Sequence, residues 1–587
     1  MRLSVQDWLV VAIYLIGIAA VGLAFTRRSG RSMSDYFVSG RSLPWWLAGT
    51  SMVATTFAAD TPLAVTGMVA RHGVAGNWLW WSFALSGILT VFFFSRLWHR
   101  AGVVTDAEFA ELRYSGKPAA ALRAVRSLYL AIPINLIIMA WVTRAMVTII
   151  EVVVGVQGWA AVIILFVFTA VFSTFAGLWG IVATDFIQFI VAMVGSIVLA
   201  VVAVNSVGGL DALALQAADH FGSSEAALSI LPPLSASWLP ISTLFVFVAI
   251  QWWAAWYPGS EPGGGGYIAQ RMLATKDEKQ SLLATLWFNI AHYAVRPWPW
   301  ILVALVSVLR YPNLENPEQG FVLVMVDLLP SPLKGLLVAA FAAAYVSTIS
   351  THLNWGASYL VNDIYTRFVN RDATERQRVM VARAATLLLM VAALIAMRFI
   401  TSVEQGWKIL IAVGAGTGFI LILRWYWWRL NAWSEISAMA ASLIAATTLQ
   451  YGFGYDAADP SGIEFALVMV WTVGFTIACS LLVTFLTSPE PDHQLDRFYN
   501  KVRPGGLGWR KVSSRLGLAG EGIPGGPYSL VNWFAGCIAI YAVLAGIGQI
   551  LLGTMLYGVL AIGFGGFCFW LIMRNLGRDR SFEPIAH

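Results

Sequence analysis

Between Ala339 and Tyr365 the chain reads AAFAAAYVSTISTHLNWGASYLVNDIY. Small apolar residues give way there to Ser347, Thr348, Ser350, Thr351, His352 and Asn354 within eight positions. On a helix, positions three and four apart share a face. Ala344, Ser347, Thr348 and Thr351 therefore form one stripe; Ser347, Ser350, Thr351 and Asn354 form a second that overlaps it. Small residues let a neighbouring backbone come close, and hydroxyls supply neutral oxygen ligands. A small hard cation such as Na+ binds through oxygen donors of this kind. A single Ser or Thr in an apolar helix ordinarily bonds the carbonyl four residues back, or joins helices. Four hydroxyls in five positions favour an ion site.

Ionisable residues inside apolar runs are costly and mark function. Asp185 lies in GIVATDFIQ, where the alternative is a buried acid satisfied by Thr184 or a backbone donor. Asp60 and Thr61 lie in AADTP, in the middle of another apolar run. Arg296 begins RPWPW. A buried Arg suits a carboxylate bidentately, but a salt bridge to Glu261 or Asp60 serves equally. Trp252, Trp253, Trp256 and Tyr257 offer aromatic faces that suit sugar rings, or simple packing. Asn135 and Trp141 are further candidates for a cavity wall. The seven His are scattered, with His292 and His352 read as core residues, and no constellation for an enzyme appears. Cys479, Cys537 and Cys568 fit neither a disulfide framework nor metal spacing.

The elements that position these residues must be membrane spans. Of 587 residues 58% are hydrophobic and 12% charged, with mean hydropathy +0.72. Soluble proteins carry about twice that charged fraction. Runs of about 18–25 apolar residues mark spans. They lie near 6–25, 47–70, 77–97, 124–150, 159–178, 181–204, 241–273, 284–308, 335–360, 380–398, 406–424, 436–453, 463–486, 528–551 and 554–574. That makes about fifteen helices in a lipid bilayer. The first is no cleaved signal, because Arg27 and Arg28 follow it where small residues would be. Lys and Arg set the orientation. With the N-terminus outside and the C-terminus cytoplasmic, only Arg2, Arg71, Arg310, Lys334, Arg398 and Lys408 face outward. Arg144 and Arg296 lie within spans, and the remaining basic residues, Arg271 among them, fall in inner loops. The net charge of +6 is thus explained without nucleic acid.

Two spans are broken, one at Ala58–Pro62 and one through YPGSEPGGGG from Tyr257 to Gly266. Pro removes a donor and Gly weakens a helix. Irregular backbone at membrane depth is tolerated only where it is buried or lines a cavity. The breaks open two five-span blocks, 47–204 and 241–424, whose odd span number makes their topologies opposite. Residues 1–46 and 425–587 add helices at either end of a single transporter domain, 1–587.

Several motifs in order resemble the sodium/solute symporter family, which includes the sodium/glucose transporters. They are DYFVSGRSLPWWLAGTSMVATTFAAD (35–60), GLWGIVATDFIQ (177–188), YIAQRMLATKDEKQS (267–281), AAAYVSTISTHLN with NDIY (342–365) and GAGTGFILILRWYWWR (414–429). LDRFYNKVRPGGLGW (495–509) resembles the sugar-transporter branch. The resemblance implies an all-α LeuT-type fold of five plus five inverted helices. It implies a sodium site from Ala54, Phe57, Ala344, Ser347 and Thr348. A second sodium site, present in some members, would use Asp185, Ser347, Ser350 and Thr351. It further implies Na+ as coupling ion, no other metal and no cofactor. The cargo would be a small polar solute, a sugar or sugar-like compound, or alternatively a carboxylate-bearing one such as a sugar acid, amino acid or organic acid. Candidate solute contacts are Asp60, Thr61, Asn135, Trp256, Tyr257, Glu261 and Arg296. The expected location is the cell membrane. A membrane-embedded sensor or enzyme is the remaining alternative, and only Arg574–His587 follows the last span, which leaves no room for a signalling module.

Overall fold

The computed structural model describes residues 3–24, 32–155, 159–233, 236, 238–255, 262–400, 403–456 and 462–579, and all regular structure among them is helical. The principal helices, in order, are α1 (Val5–Ala24), α2 (Trp45–Thr56), α3 (Asp60–His72), α4 (Asn135–Val154), α5 (Trp159–Ser206), α6 (Gly266–Leu273), α7 (Glu278–Asn289) and α8 (Pro297–Arg310). There follow α9 (Leu333–Ser358), α10 (Glu375–Ala396), α11 (Val403–Gly414), α12 (Thr417–Tyr426), α13 (Ala432–Thr447), α14 (Ile463–Leu486), α15 (Pro527–Leu552) and α16 (Met555–Arg578). Nine stretches among the described residues are long and apolar enough to cross a bilayer, or ten with the bent pair α2–α3. The sequence reading of about fifteen also counts stretches that the structure interrupts or folds back.

The first break falls where Asp60 and Pro62 stand. α2 stops at Phe57 (φ −86°, ψ 59°) and α3 starts at Asp60, their axes bent by 57°. Pro62 then sits in the first turn of α3, where no backbone donor is needed. The second break separates a helical stretch ending at Ala254 from α6. Gly263, Gly264 and Gly266 there have φ of +79°, +78° and +54°, a region glycine enters without steric cost. Trp256, Tyr257 and Glu261 lie outside the described residues.

A third break was not expected. The reading of one span over 406–424 gives way to α11 and α12, separated at Ala415 and Gly416. Gly416 has φ +91°, and its N–H donates to Ala254 O at 3.0 Å. A Cβ on Gly418 would stand 2.2 Å from Trp253 O. The break is thus docked on the end of the other interrupted span, a contact no local pattern announces.

α5 is one helical stretch in the chain, Trp159–Ser206, where spans at 159–178 and 181–204 are expected. The packing shows two antiparallel arms. Phe166 lies against Tyr345 and the Ser173 hydroxyl donates to Ser350 O, so the first arm runs with α9. Asp185 meets Ser347 and Gly195 faces Leu337, so the second arm runs against it. A straight helix would separate Ser173 and Asp185 by about 18 Å at 1.5 Å per residue. Both touch neighbouring turns of α9, so α5 folds back between them.

α9 is the axis of the molecule, buried along nearly its whole length. Both arms of α5, α4, α2 and α10 pack on it. α1 is pinned to its start, where Gly335 N–H donates to the buried Asp7 carboxylate at 2.8 Å. A second core gathers Trp98, Phe109, Trp425, Phe498 and Trp509. Arg113 stacks there on Trp509 and Arg424 on Phe109. This cluster seats the 495–509 segment, whose Trp509 Nε1 donates to Trp425 O at 2.7 Å.

Candidate functional site

The end of α2 is electrostatically prepared for a cation. A helix leaves its last four carbonyls without intrahelical partners, and the dipole makes that end negative. All four also accept bonds nearby. Phe57 N–H donates to Val53 O at 2.8 Å and Ala54 O at 3.0 Å, Thr348 Oγ1 to Thr55 O at 2.9 Å and Thr61 Oγ1 to Thr56 O at 3.0 Å. A carbonyl with one such bond keeps a second lone pair. Ala54, Phe57, Ala344 and Ser347 line one narrow crevice between α2, α5 and α9, with Gln188, Phe189 and Ala192 as its third wall. Four of the five residues expected at the sodium site therefore share a cleft, and the fifth, Thr348, cross-links α9 to α2 beside it.

The hydroxyls are oriented by their acceptors. Ser347 Oγ donates to Asp185 Oδ1 at 2.5 Å, and Ser51 Oγ to Asp185 Oδ2 at 2.5 Å. With their protons committed, Ser347 and Thr348 keep oxygen lone pairs for a cation. Asp185 is fully buried and reaches the crevice through Ser347.

The residues expected at a second sodium site are brought together, but a guanidinium stands among them. Arg271, on α6, is 0% exposed. Its Nη2 donates to Thr351 Oγ1 at 2.9 Å and lies 4.0 Å from Asp185 Oδ2. Its Nη1 donates to Gln270 Oε1 at 2.8 Å and its Nε to Ser51 Oγ at 3.3 Å. Ser350 Oγ turns to its own helix, donating to Ser347 O at 3.0 Å. The reading of Arg271 as an inner-loop charge is thus corrected. It follows the glycine-rich break directly, and α6 carries it into the core as the counter-charge of Asp185.

Among the solute candidates, Asp60 is buried at the start of α3. Trp141, Trp407 and Arg296 stand around its carboxylate. Among the described residues its Oδ1 has no hydrogen-bond partner. Arg296 Nη1 donates to Thr56 Oγ1 at 3.0 Å and to Val53 O at 3.3 Å, and the guanidinium lies over Trp300 at 4.9 Å. It caps the broken helix instead of reaching out of it. His292 Nδ1 meets the same Thr56 hydroxyl at 3.0 Å, and Trp80 stands edge-on to the imidazole. Thr61 is spent on closing the break. Asn135 is spent as well: Nδ2 donates to His352 O at 2.9 Å and Oδ1 meets His352 Nδ1 at 2.7 Å. Both ends of that amide hold α4 to α9.

Sequence reasoning missed Gln188, Arg271 and Trp407 as parts of these sites. For Gln188 a signal existed, since it lies three residues after Asp185 and so on the same helical face. For Trp407 there was none.

Residues 36–444 match the model of the sodium:solute symporter family. The chain is 26% identical over 520 residues to a sodium/glucose cotransporter of Vibrio parahaemolyticus, covering 84% of this chain and 92% of that protein. It is 24% identical to sodium/glucose cotransporter 1 of Oryctolagus cuniculus, covering 85% and 82%. Its fold is that of a Na+-coupled sialic acid symporter solved in a substrate-bound outward-open state, with TM-score 0.68 and 20% identity over 83% of this chain and 99% of that one. The all-helical architecture is of the LeuT type. The chain therefore belongs to the sodium:solute symporter family, as a multi-pass membrane protein that couples a small-molecule solute to Na+ and is not an enzyme.

Proposed function

We propose that this symporter carries a neutral sugar or sugar-like solute, with Na+ bound by Ala54, Phe57, Ala344, Ser347 and Thr348. The observation that carries the reading is the shared break. Phe57 ends α2 and lines the ion crevice; Asp60 starts α3 and stands among Trp141 and Trp407. Three residues of chain thus join ion and solute, so an ion that holds Phe57 also holds Asp60. A carboxylate accepts hydroxyl protons and indole faces suit a sugar ring, whereas an acidic solute would meet Asp60 with like charge. Arg296, the residue that would favour such a solute, is turned to Val53 and Thr56. In the cycle, Na+ ties the broken helix to α9, and its release inward frees both. The bundle holding the broken helices then rocks inward, with the N-terminus outside and the C-terminus in the cytoplasm. Because Arg271 already balances Asp185, we assign one Na+ per solute, not the two that an open second site would take.

Uptake of labelled sugars, sugar acids and amino acids into proteoliposomes, with and without Na+, tests this. A sugar should accumulate only with Na+, and Asp60→Asn should abolish that uptake. Accumulation driven by a proton gradient in Na+-free buffer, or of acids alone, would overturn it.

A further inference from the structure

We propose that Asp106 is a detachable cap on α6 that latches the inner exit, a positioning role that rests on the inward rocking proposed above. α6 starts at Gly266, at the end of a run of four glycines. No side chain at its N-cap, Gly265, can hold the first turn. Its leading N–H groups therefore lack partners within the helix, and the dipole makes that end positive. The cap comes from a distant segment: Gly266 N–H donates to Asp106 Oδ2 at 3.2 Å. The same carboxylate, 3% exposed, is held from the other side. Tyr359, at the end of α9, donates its hydroxyl to Oδ1, and Arg126 Nη2 donates to Oδ2 at 3.4 Å. Trp355 Nε1 fixes that hydroxyl in turn, donating to it at 2.8 Å. Next to Asp106, Thr105 Oγ1 donates to Asp363 at 2.7 Å, and Glu111 pairs with Arg123 and Arg367. The loop that carries Asp106 is thus anchored to the inner end of α9, while α6 only rests on it.

Ties at successive turns close α6 on α9. Arg271 meets Thr351, Gln270 Nε2 donates to Asn354 Oδ1 at 3.0 Å, and Gly266 is held through Asp106 to Tyr359. Thr351, Trp355 and Tyr359 are four residues apart and so follow one side of α9 away from the sodium crevice at Ser347. Asp106 holds the tie furthest from the ion. Because α6 belongs to the second interrupted span, inward release parts it from α9, and this tie yields first. The bond is suited to that. On the anchored side the charge keeps a guanidinium and a phenol hydroxyl, so it is not stranded in low dielectric when α6 leaves. On the moving side it holds one backbone donor: a charge-assisted bond strong enough to favour closure, and single, so that each cycle can break it.

The test uses the full chain in proteoliposomes, with Cys479, Cys537 and Cys568 replaced by Ala and Ser358→Cys as reporter. Ser358 is 2% exposed and lies one turn beyond Asn354, on the face turned to α6. N-ethylmaleimide should alkylate the reporter slowly in Na+ buffer and faster in choline buffer. Asp106→Asn keeps the size and removes the charge. It should speed alkylation in Na+ about tenfold and change the choline rate little, because the latch is already open there. Tyr359→Phe loosens the anchor alone and should act in the same direction, more weakly. A carboxylate that merely stabilises the fold predicts instead an earlier melt, with both rates raised together and their ratio kept. An unchanged ratio in both variants overturns the latch while the transport reading stands. Should Asp106→Asn fail to fold, an unchanged ratio in Tyr359→Phe overturns it alone. A reporter that reacts equally in Na+ and choline removes the inward rocking, and the latch with it.

Discussion

Ser347 stands at the meeting point of two groups: its hydroxyl donates to Asp185, and the residue lines the crevice. Removing either side has a distinct signature. Ser347→Ala and Thr348→Ala each delete one neutral oxygen, so each should raise the Na+ requirement of uptake by about tenfold at unchanged expression, and Thr348→Ser should restore most of it. Wild-type sodium dependence in both alanine variants would place the ion elsewhere. Arg271 gives the complementary test. It lies where a second cation was expected, against Asp185 and Thr351. Arg271→Met should leave Asp185 needing a counter-ion, because a lone buried charge is strongly unfavourable. We expect that variant to be folded only in Na+ buffer, with a Hill coefficient for Na+ above the value near one expected of the wild type. A wild-type coefficient approaching two would return the second sodium site to consideration.

Helices in this chain are placed by how closely their backbones approach. A Cβ on Gly49 of α2 would stand 2.5 Å from Ala284 O and 2.9 Å from the Trp287 ring on α7. Neither a carbonyl nor that half-buried indole, which donates to Thr50 Oγ1 at 3.0 Å, can retreat cheaply. Gly49→Leu should therefore abolish recovery of monodisperse protein by size exclusion. Gly17, with nothing near its Cβ direction, should tolerate the same change, and equal recovery of the two variants would contradict the α2–α7 contact. The breaks at Ala58–Pro62 and before Gly266 were legible from Pro and Gly. The break at Gly416 was not, because one glycine in GAGTG reads equally as a packing residue until Ala254 O is seen across from it. The fold-back of α5 was legible as two runs of span length, although no turn residue other than Gly177 and Gly180 announces the corner.

At the scale of the whole molecule, ion pairs tie distant segments together. Glu111 binds Arg367 and Arg123, and Arg123 continues to Asp363. Burial alone would raise the Glu111 carboxyl, but Arg367 and Arg123 outweigh it and hold the group below its ordinary value of 4.5. A depressed carboxylate stabilises the fold above its unfolded pKa and loses that contribution as pH falls through the folded one. Thermal stability should therefore be level near neutrality and decline below about pH 4.5, more steeply in the wild type than in Glu111→Gln. Parallel curves would remove Glu111 from the account. Moving one charge inward per cycle is worth about 2.3 kcal/mol per 100 mV, so an inside-negative potential should stimulate uptake; indifference to potential would exclude single-Na+ coupling to a neutral solute. For orientation, a cysteine at Ser4 should react with impermeant maleimide from outside, and one at Ser514 only after permeabilisation.

What the sequence determined by itself follows from local composition. Apolar length, the distribution of Lys and Arg, Pro and Gly within spans, and the 347–351 hydroxyls each act through one segment's preference for lipid, water or helix. They were enough for a multi-pass helical membrane protein with interrupted spans. Tertiary structure alone decided who stands opposite whom. Asn135 and Thr61 looked free to meet a solute, yet His352 and Thr56 take their hydrogen bonds. Arg271 looked like a loop charge, yet it is buried beside Asp185. Gln188 looked like an ordinary helix residue, yet it lines the crevice without a partner among the described residues. In a low-dielectric interior the role of a polar group is set by the groups within hydrogen-bonding reach, and these come from segments up to hundreds of residues away in the chain.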